Sequence, residues 1–202
     1  MENEPALELE IRRKIYNCIL KSPGIHYREI SDRLHIPSST MDYHLYYLKK
    51  RNLINSLQEK GYTRFYVTGK ISTQDKIIFS VLRQKATRRI ILFLLENPDS
   101  DHKKIRNHLN LAPSTTSFHL LKLIKYKIVE RKFKGKDVSY NIINPENIID
   151  ILITYKKSFL DDSIDSVIET WLNIHPRNQR KWKNRLKKII PTFSKHKQWT
   201  NN

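Results

Sequence analysis

The sequence predicts a mainly α fold with small β wings, an α+β class, in which one body of three helices and a two-stranded hairpin is used twice. Three observations carry this. The chain matches itself when slid by 75 residues. Within each copy the apolar period changes from helical to alternating at the same place. After Pro145 the helical period returns and continues toward the C-terminus.

The self-match is ungapped and places Arg12–Ile54 on Thr87–Val129 with 12 identities in 43 positions. Ile15/Ile90, Leu20/Leu95, Pro23/Pro98, Ile30/Ile105, Leu34/Leu109, Ser39/Ser114, Thr40/Thr115, His44/His119, Leu45/Leu120 and Leu48/Leu123 are among them. Tyr43/Phe118 and Ile36/Leu111 keep their character. Chance rarely preserves spacing and chemistry together over such a span, so two copies of one domain are expected.

The elements follow in order. Ile11, Ile15, Cys18 and Ile19 recur at helical spacing and predict a first helix over about Glu8–Lys21, stopped by Ser22-Pro23-Gly24. Ile30 and Leu34 place a short second helix over about Tyr27–Leu34. His35-Ile36-Pro37 turns the chain into a third, about Ser38–Arg51, whose Met41, Leu45 and Leu48 form an inward stripe. Leu53–Leu57 then reads as a strand, Gln58–Gly61 as a turn, and Tyr62–Thr68 as the returning strand, with Thr63, Phe65 and Val67 on one face. In the second copy Val138, Tyr140 and Ile142 take those places and Gly135 marks the turn.

Three helices and a hairpin in that order define a winged helix-turn-helix. The expected organisation is a first such domain over 1–70, a helical linker over 71–84, a second domain over 85–145, and a C-terminal helical extension with a basic tail over 146–202. In the extension, Ile148, Ile149, Leu152 and Ile153, then Ile164, Val167, Ile168 and Trp171, are too apolar to face water and must cover the winged domains or a second chain. From Pro176 onward there are nine Lys or Arg and no acid, and 177–190 is a candidate basic helix.

Composition narrows the function. The excess of 38 Lys+Arg over 20 Asp+Glu, a net +18, calls for a polyanionic partner, either nucleic acid or a membrane surface. Met1–Glu10 holds four acids and no base, the opposite of a secretion signal, and the longest apolar run, Ile90–Leu95, is six residues, far short of a span. A cytoplasmic protein that does not enter membranes is therefore expected. Cys18 is the single cysteine, so neither an internal disulfide nor a Cys-rich zinc site is available. Four glycines cannot build a Gly-rich phosphate cradle. No paired carboxylates or nucleophile–base arrangement stands at a useful spacing, so no enzyme, cofactor or metal is expected.

Residues 36–48 (IPSSTMDYHLYYL) and 111–123 (LAPSTTSFHLLKL) resemble the recognition helix of ArsR/MarR-type winged helix-turn-helix transcription regulators. The shared features are the Ser-Thr start, the His-Leu pair, a Leu three residues later, and a strand opening with Leu53-Ile54 or Ile128-Val129. The likeness covers about Glu8–Thr68 and Val81–Asn144, and tandem copies of this kind resemble archaeal regulators. The resemblance implies a transcription regulator that binds double-stranded DNA. It does not extend to metal sensing, because the Cys-x-Cys or His/Asp cluster of the metal-sensing relatives is missing.

With Met41, Leu45 and Leu48 inward, the outer face of the third helix offers Ser38, Ser39, Thr40, Asp42, Tyr43, Tyr46, Tyr47 and Lys50 to a major groove. Its counterpart offers Ser114, Thr115, Ser117, Phe118, Leu121, Lys122 and Lys125, a less polar set expected to read bases more weakly. The wings bring Lys60, Tyr62 and Arg64, and Lys132, Lys134 and Lys136, toward phosphates. Duller explanations stand beside each. Charged turn residues are usually solvated, and only their presence in both wings favours DNA. Tyr43, Tyr46 and Tyr47 have packing between the copies as their second, less favoured role. His44 and His119 fit a half-buried histidine with a hydrogen bond in the domain or to a phosphate better than a ligand or base, and Cys18 fits the core. The alternative function is a protein-interaction module of the transcription or replication machinery that docks through the extension. A single chain and a homodimer paired through the C-terminal helices are both open.

Overall fold

The computed structural model describes residues 9–59, 61–159 and 161–175. The basic tail expected from Pro176 onward, its candidate helix and Lys60 lie outside them. The chain is mainly helical with small antiparallel sheets, and it divides into two units, Met1–Arg88 and Arg89–Asn202.

In unit 1, α1 (Glu10–Lys21), β1 (Ile25–His26), α2 (Tyr27–Leu34) and α3 (Ser38–Lys50) precede a hairpin of β2 (Ile54–Glu59) and β3 (Tyr62–Val67), and α4 (Thr73–Leu82) follows. Strand order is β1-β3-β2, with Ile25 opposite Phe65 and Ile54 opposite Val67. The helical and alternating apolar periods meet in one core, in which Ile15, Ile19, Ile30, Met41, Leu45 and Leu48 from the helices pack with Ile25, Ile54, Phe65 and Val67 from the sheet. His26 caps α2, its Nδ1 accepting from the Glu29 N–H at 3.2 Å.

The structure departs from the sequence expectations for this unit at four points. On α1, Ile11 is exposed and Arg12 is buried, because Arg12 lies 3.6 Å from the centre of the Tyr47 ring and is held there as a cation over an aromatic face. Strand β2 runs to Glu59, two residues into the expected turn. The two-residue strand β1 had no pattern to announce it. Most consequentially, both faces of β3 are buried: Phe65 and Val67 face the helical core, while Arg64 and Tyr66 are sealed as well.

The cover on that second face includes α4. The Tyr66 hydroxyl donates to the Lys76 carbonyl at 3.2 Å, and a Cβ on Gly24 would meet Phe79 Cβ at 3.3 Å. Arg83, just after α4, donates from Nε and Nη2 to the Pro23 carbonyl at 3.2 and 3.1 Å, and its Nη1 stands 3.5 Å from Glu29 Oε1. Burial draws the Arg83 guanidinium down to about 10, so it stays a cation at neutral pH. The segment expected as a linker is therefore bound into the first unit.

In unit 2 the same order recurs: α5 (Lys85–Glu96, begun at the end of unit 1), α6 (His102–Leu109), α7 (Pro113–Lys125), β4 (Val129–Lys134) and β5 (Asp137–Ile142), then α8 (Pro145–Phe159) and α9 (Ser163–Ile174). The bounds of α5, α6, α7, β4 and β5 stand 75 residues beyond those of α1, α2, α3, β2 and β3. The match reaches the backbone. Left-handed residues at Gly24, His35 and Asn52 recur at Asp99, Asn110 and Lys127. The Ile25–Phe65 pairing recurs as a single bridge between Ser100 and Tyr140. In α8 and α9, Ile148, Ile149, Leu152, Ile164, Val167 and Trp171 are buried within the chain.

Candidate nucleic-acid interface

The core stripe of α3 fixes which of its residues face out. With Met41, Leu45 and Leu48 buried, Ser38, Ser39, Asp42, Tyr43, Tyr46 and Lys50 are exposed and Thr40 is half-buried. Tyr43 is 58% and Tyr46 65% exposed at one-turn spacing, and the Tyr43 hydroxyl accepts from Arg12 Nη2 at 3.5 Å. Tyr47 differs: it is half-buried, packs on the unit 1 core and lies under the Arg12 guanidinium. It belongs to the domain rather than to an open face. The Tyr27 hydroxyl donates to the Ser38 carbonyl at 2.9 Å and ties α2 to the start of α3.

On α7, Leu120 and Leu123 face in, and Thr116 is buried with its hydroxyl donating to the Ala112 carbonyl at 3.1 Å. Ser114, Phe118, Leu121 and Lys125 are exposed, while Thr115, Ser117 and Lys122 are half-buried. His102 and Ser117 form a 3.0 Å hydrogen bond, which stitches α6 to α7 and occupies the Ser117 hydroxyl. Lys122 sits with its ammonium 5.8 Å from the centre of the Tyr126 ring.

The wings diverge from expectation at one residue. Tyr62 is exposed, with its ring 6.1 Å from that of His26. Arg64 is only 5% exposed and donates to the Gly24 carbonyl at 2.9 Å, so it is not a wing-tip cation. Strand alternation explains this: Arg64 shares the face of Tyr66 and Tyr62, and toward the root of the hairpin that face is covered. In the second wing Lys132, Lys134 and Lys136 are exposed, and Lys132 is paired with Glu130 at 3.2 Å.

Several residues that sequence reasoning passed over lie on these surfaces. Phe133 is 71% exposed in the second wing, 5.8 Å from the Arg131 guanidinium. Lys103 and Lys104 are exposed in the first turn of α6. A charge count by segment would have found them: from His102 to Val129 there are six Lys or Arg and no acid, whereas the matching Tyr27–Ile54 has five against three.

The two histidines keep one geometry. His44 stacks edge-on with Tyr43 at 5.2 Å, and His119 with Phe118 at 5.3 Å. Each buries its Nδ1 with no hydrogen-bond partner among the described residues, so the hydrogen bond expected within the domain is not made there. Burial, reinforced by Arg12 for His44 and by Lys122 for His119, holds both below the ordinary histidine range. Cys18 packs against the unit 1 core, and burial pushes its thiol up, away from the reactive thiolate.

Among the described residues no group of three or more His, Cys, Asp or Glu is placed to hold a metal, and no helix is long and apolar enough to cross a membrane. A cleft of about 170 Å³ lined by Leu120, Leu121, Ile124, Arg131 and Tyr140 lies beside α7, below the roughly 300 Å³ at which ligand pockets begin.

These features define a winged helix-turn-helix of the α+β class. The comparisons with known proteins agree for the first part of the chain: residues 9–78 match a family described as an N-terminal HTH domain. The chain is also similar to the uncharacterized HTH-type transcriptional regulator MJ1398 of Methanocaldococcus jannaschii, with 35% identity over 142 residues. That match covers 70% of this chain and 36% of the relative, so the chain spans about a third of its length. Among solved structures, two single-residue mutants of ZitR from Lactococcus lactis match at a TM-score of 0.30 and 12% identity, over 79% of this chain and 96% of theirs.

Proposed function

We propose that the chain is a double-stranded DNA-binding transcription regulator, formed by two winged helix-turn-helix units of ArsR/MarR type in tandem, without enzymatic activity. One observation carries the reading. On α3 a complete apolar stripe holds the helix to its domain while Ser39, Asp42, Tyr43, Tyr46 and Lys50 stand in solvent, as a helix entering a major groove requires. The net charge of +18 supplies the phosphate attraction. Ser38, Thr40, Tyr62 and the second wing's Lys132, Lys134 and Lys136 would add backbone contacts.

α3 is the principal base reader; if α7 engages the same face of the duplex, its half-site is expected about 10 base pairs away or a multiple of that. α8 and α9 spend their apolar faces within the chain, which favours one chain acting as a covalent pair over a homodimer joined through these helices.

The test is selection of bound duplexes from a random pool by the full chain, followed by gel-shift titration against salt. The reading expects one enriched sequence whose affinity falls steeply with salt. Equal affinity for selected and random duplexes would overturn sequence-specific regulation.

A further inference from the structure

The outward stripe that runs Ser39, Tyr43, Tyr46, Lys50 on α3 runs Ser114, Phe118, Leu121, Lys125 on α7. The polar ends are kept, and the two central phenols become groups with no hydrogen-bonding atom. Phe118 is 55% and Leu121 57% exposed, while Leu120 and Leu123 carry the packing, so the central pair is not needed for the core. Ser117 is engaged by His102. The middle of α7 therefore has almost nothing with which to read donors and acceptors on base edges.

The surroundings say what covers this pair. Lys122 and Lys125 lie on the same helix, Lys103 and Lys104 on α6, and no acid occurs from His102 to Val129. A second copy of a chain at +18 brings repulsion to such a face. A DNA duplex brings phosphates for the lysines, and the floor of its major groove displays one apolar group, the thymine 5-methyl.

We infer that α7 recognises thymine through its 5-methyl groups, with Phe118 and Leu121 as the specificity-determining residues. The inference rests on the DNA-binding reading above. It assigns the two units different chemistry: α3 reads hydrogen-bonding edges, and α7 reads methyl groups in an A·T-rich half-site.

The experiment changes the DNA before it changes the protein. Duplexes selected by the full chain are remade with deoxyuridine in place of single thymines, which removes the methyl and leaves base pairing and phosphates intact. Within one half-site a cluster of positions should lose about fourfold in affinity per methyl removed, the size of one buried methyl group. The double variant Phe118→Ala/Leu121→Ala should bind the thymine duplex more weakly and show no loss on uracil substitution at those positions. Uracil substitutions without effect anywhere, or losses that persist in the double variant, would sink the inference while leaving DNA binding intact. Failure of the native chain to bind any duplex would instead remove the regulator reading and this one with it. A native dimer, seen by light scattering without DNA and split by Phe118→Glu, would make the face a contact between copies and overturn the assignment.

Discussion

Units 1 and 2 set their helices, hairpin strands and left-handed turns 75 residues apart, yet they hold these shared elements with different side chains. At the turn after the first helix, unit 1 uses Gly24, where an added Cβ would stand 3.2 Å from the Tyr66 hydroxyl oxygen. Unit 2 puts Asp99 there in the same left-handed conformation and clamps it, its N–H donating to Asn141 Oδ1 at 2.9 Å and its carboxylate accepting from Asn141 Nδ2 at 2.6 Å. Between the second and third helices, Tyr27 reaches the Ser38 carbonyl in one unit and His102 reaches Ser117 in the other. What both units keep is the inward stripe and the turn conformations. The outer face is where they part. A backbone is specified by what it buries and how it turns, so the reading surface is free to change without cost to the fold.

The largest effect should come from the Arg83 clamp of unit 1. Arg83→Ala removes the charged donor from the Pro23 carbonyl and the contact with Glu29, and should lower stability by about 3 kcal/mol in urea titration. A loss within about 0.5 kcal/mol would mean that α4 is held by its apolar residues alone. Next, exchange at the first turn should be unequal. Gly24→Asp introduces a Cβ against Tyr66 and Phe79 at positive φ and should cost about 2 kcal/mol or more, whereas Asp99→Gly keeps the backbone bond to Asn141, loses the part-buried bond from Asn141 Nδ2, relaxes the positive φ, and should cost about 1 kcal/mol. Equal costs would show that the two turns are not held differently.

On DNA, Tyr43→Ala should reduce the preference for selected over random duplexes about tenfold, close to one base contact. Equal losses on both would remove α3 from base reading. Acid should act on both units alike. His44 and His119 are held below their ordinary range by burial, so the unfolded chain takes up protons first as pH falls. The stabilisation is present above about pH 6.5 and is lost as pH drops through the lower folded values. Thermal melts from pH 7.5 to 5 should show this fall, and His44→Gln with His119→Gln should flatten it. The smallest change is at the second wing: Lys134→Ala should weaken all duplexes alike and lower the salt slope by about one unit. A sequence-dependent loss there would move base reading into the wing.

Much of the architecture was legible because it rests on local periods. A helix that buries Met41, Leu45 and Leu48, or a strand that buries Phe65 and Val67, writes its own spacing, and the repeat doubled each signal. The candidate site was legible in part for the same reason: knowing the inward stripe of α3 fixes Tyr43 and Tyr46 as outward. Arg64 and Tyr47 were misjudged, and the burial of Arg12 was missed, because their fates depend on partners far along the chain. Arg64 answers to Gly24, and Tyr47 to Arg12.

By itself, then, the amino-acid order determined the duplicated three-helix-and-hairpin body, its bounds to within a residue or two, and the polar and apolar stripes of α3 and α7. Only the tertiary structure decided that β3 is buried on both sides, that α4 and Arg83 close unit 1, and that Arg64 is sealed against the Gly24 carbonyl. The physical reason is range. Periodicity reports which face of one element is apolar, but what meets that face, and which polar group must follow it into the interior for a hydrogen bond, is set by contacts between residues distant in sequence.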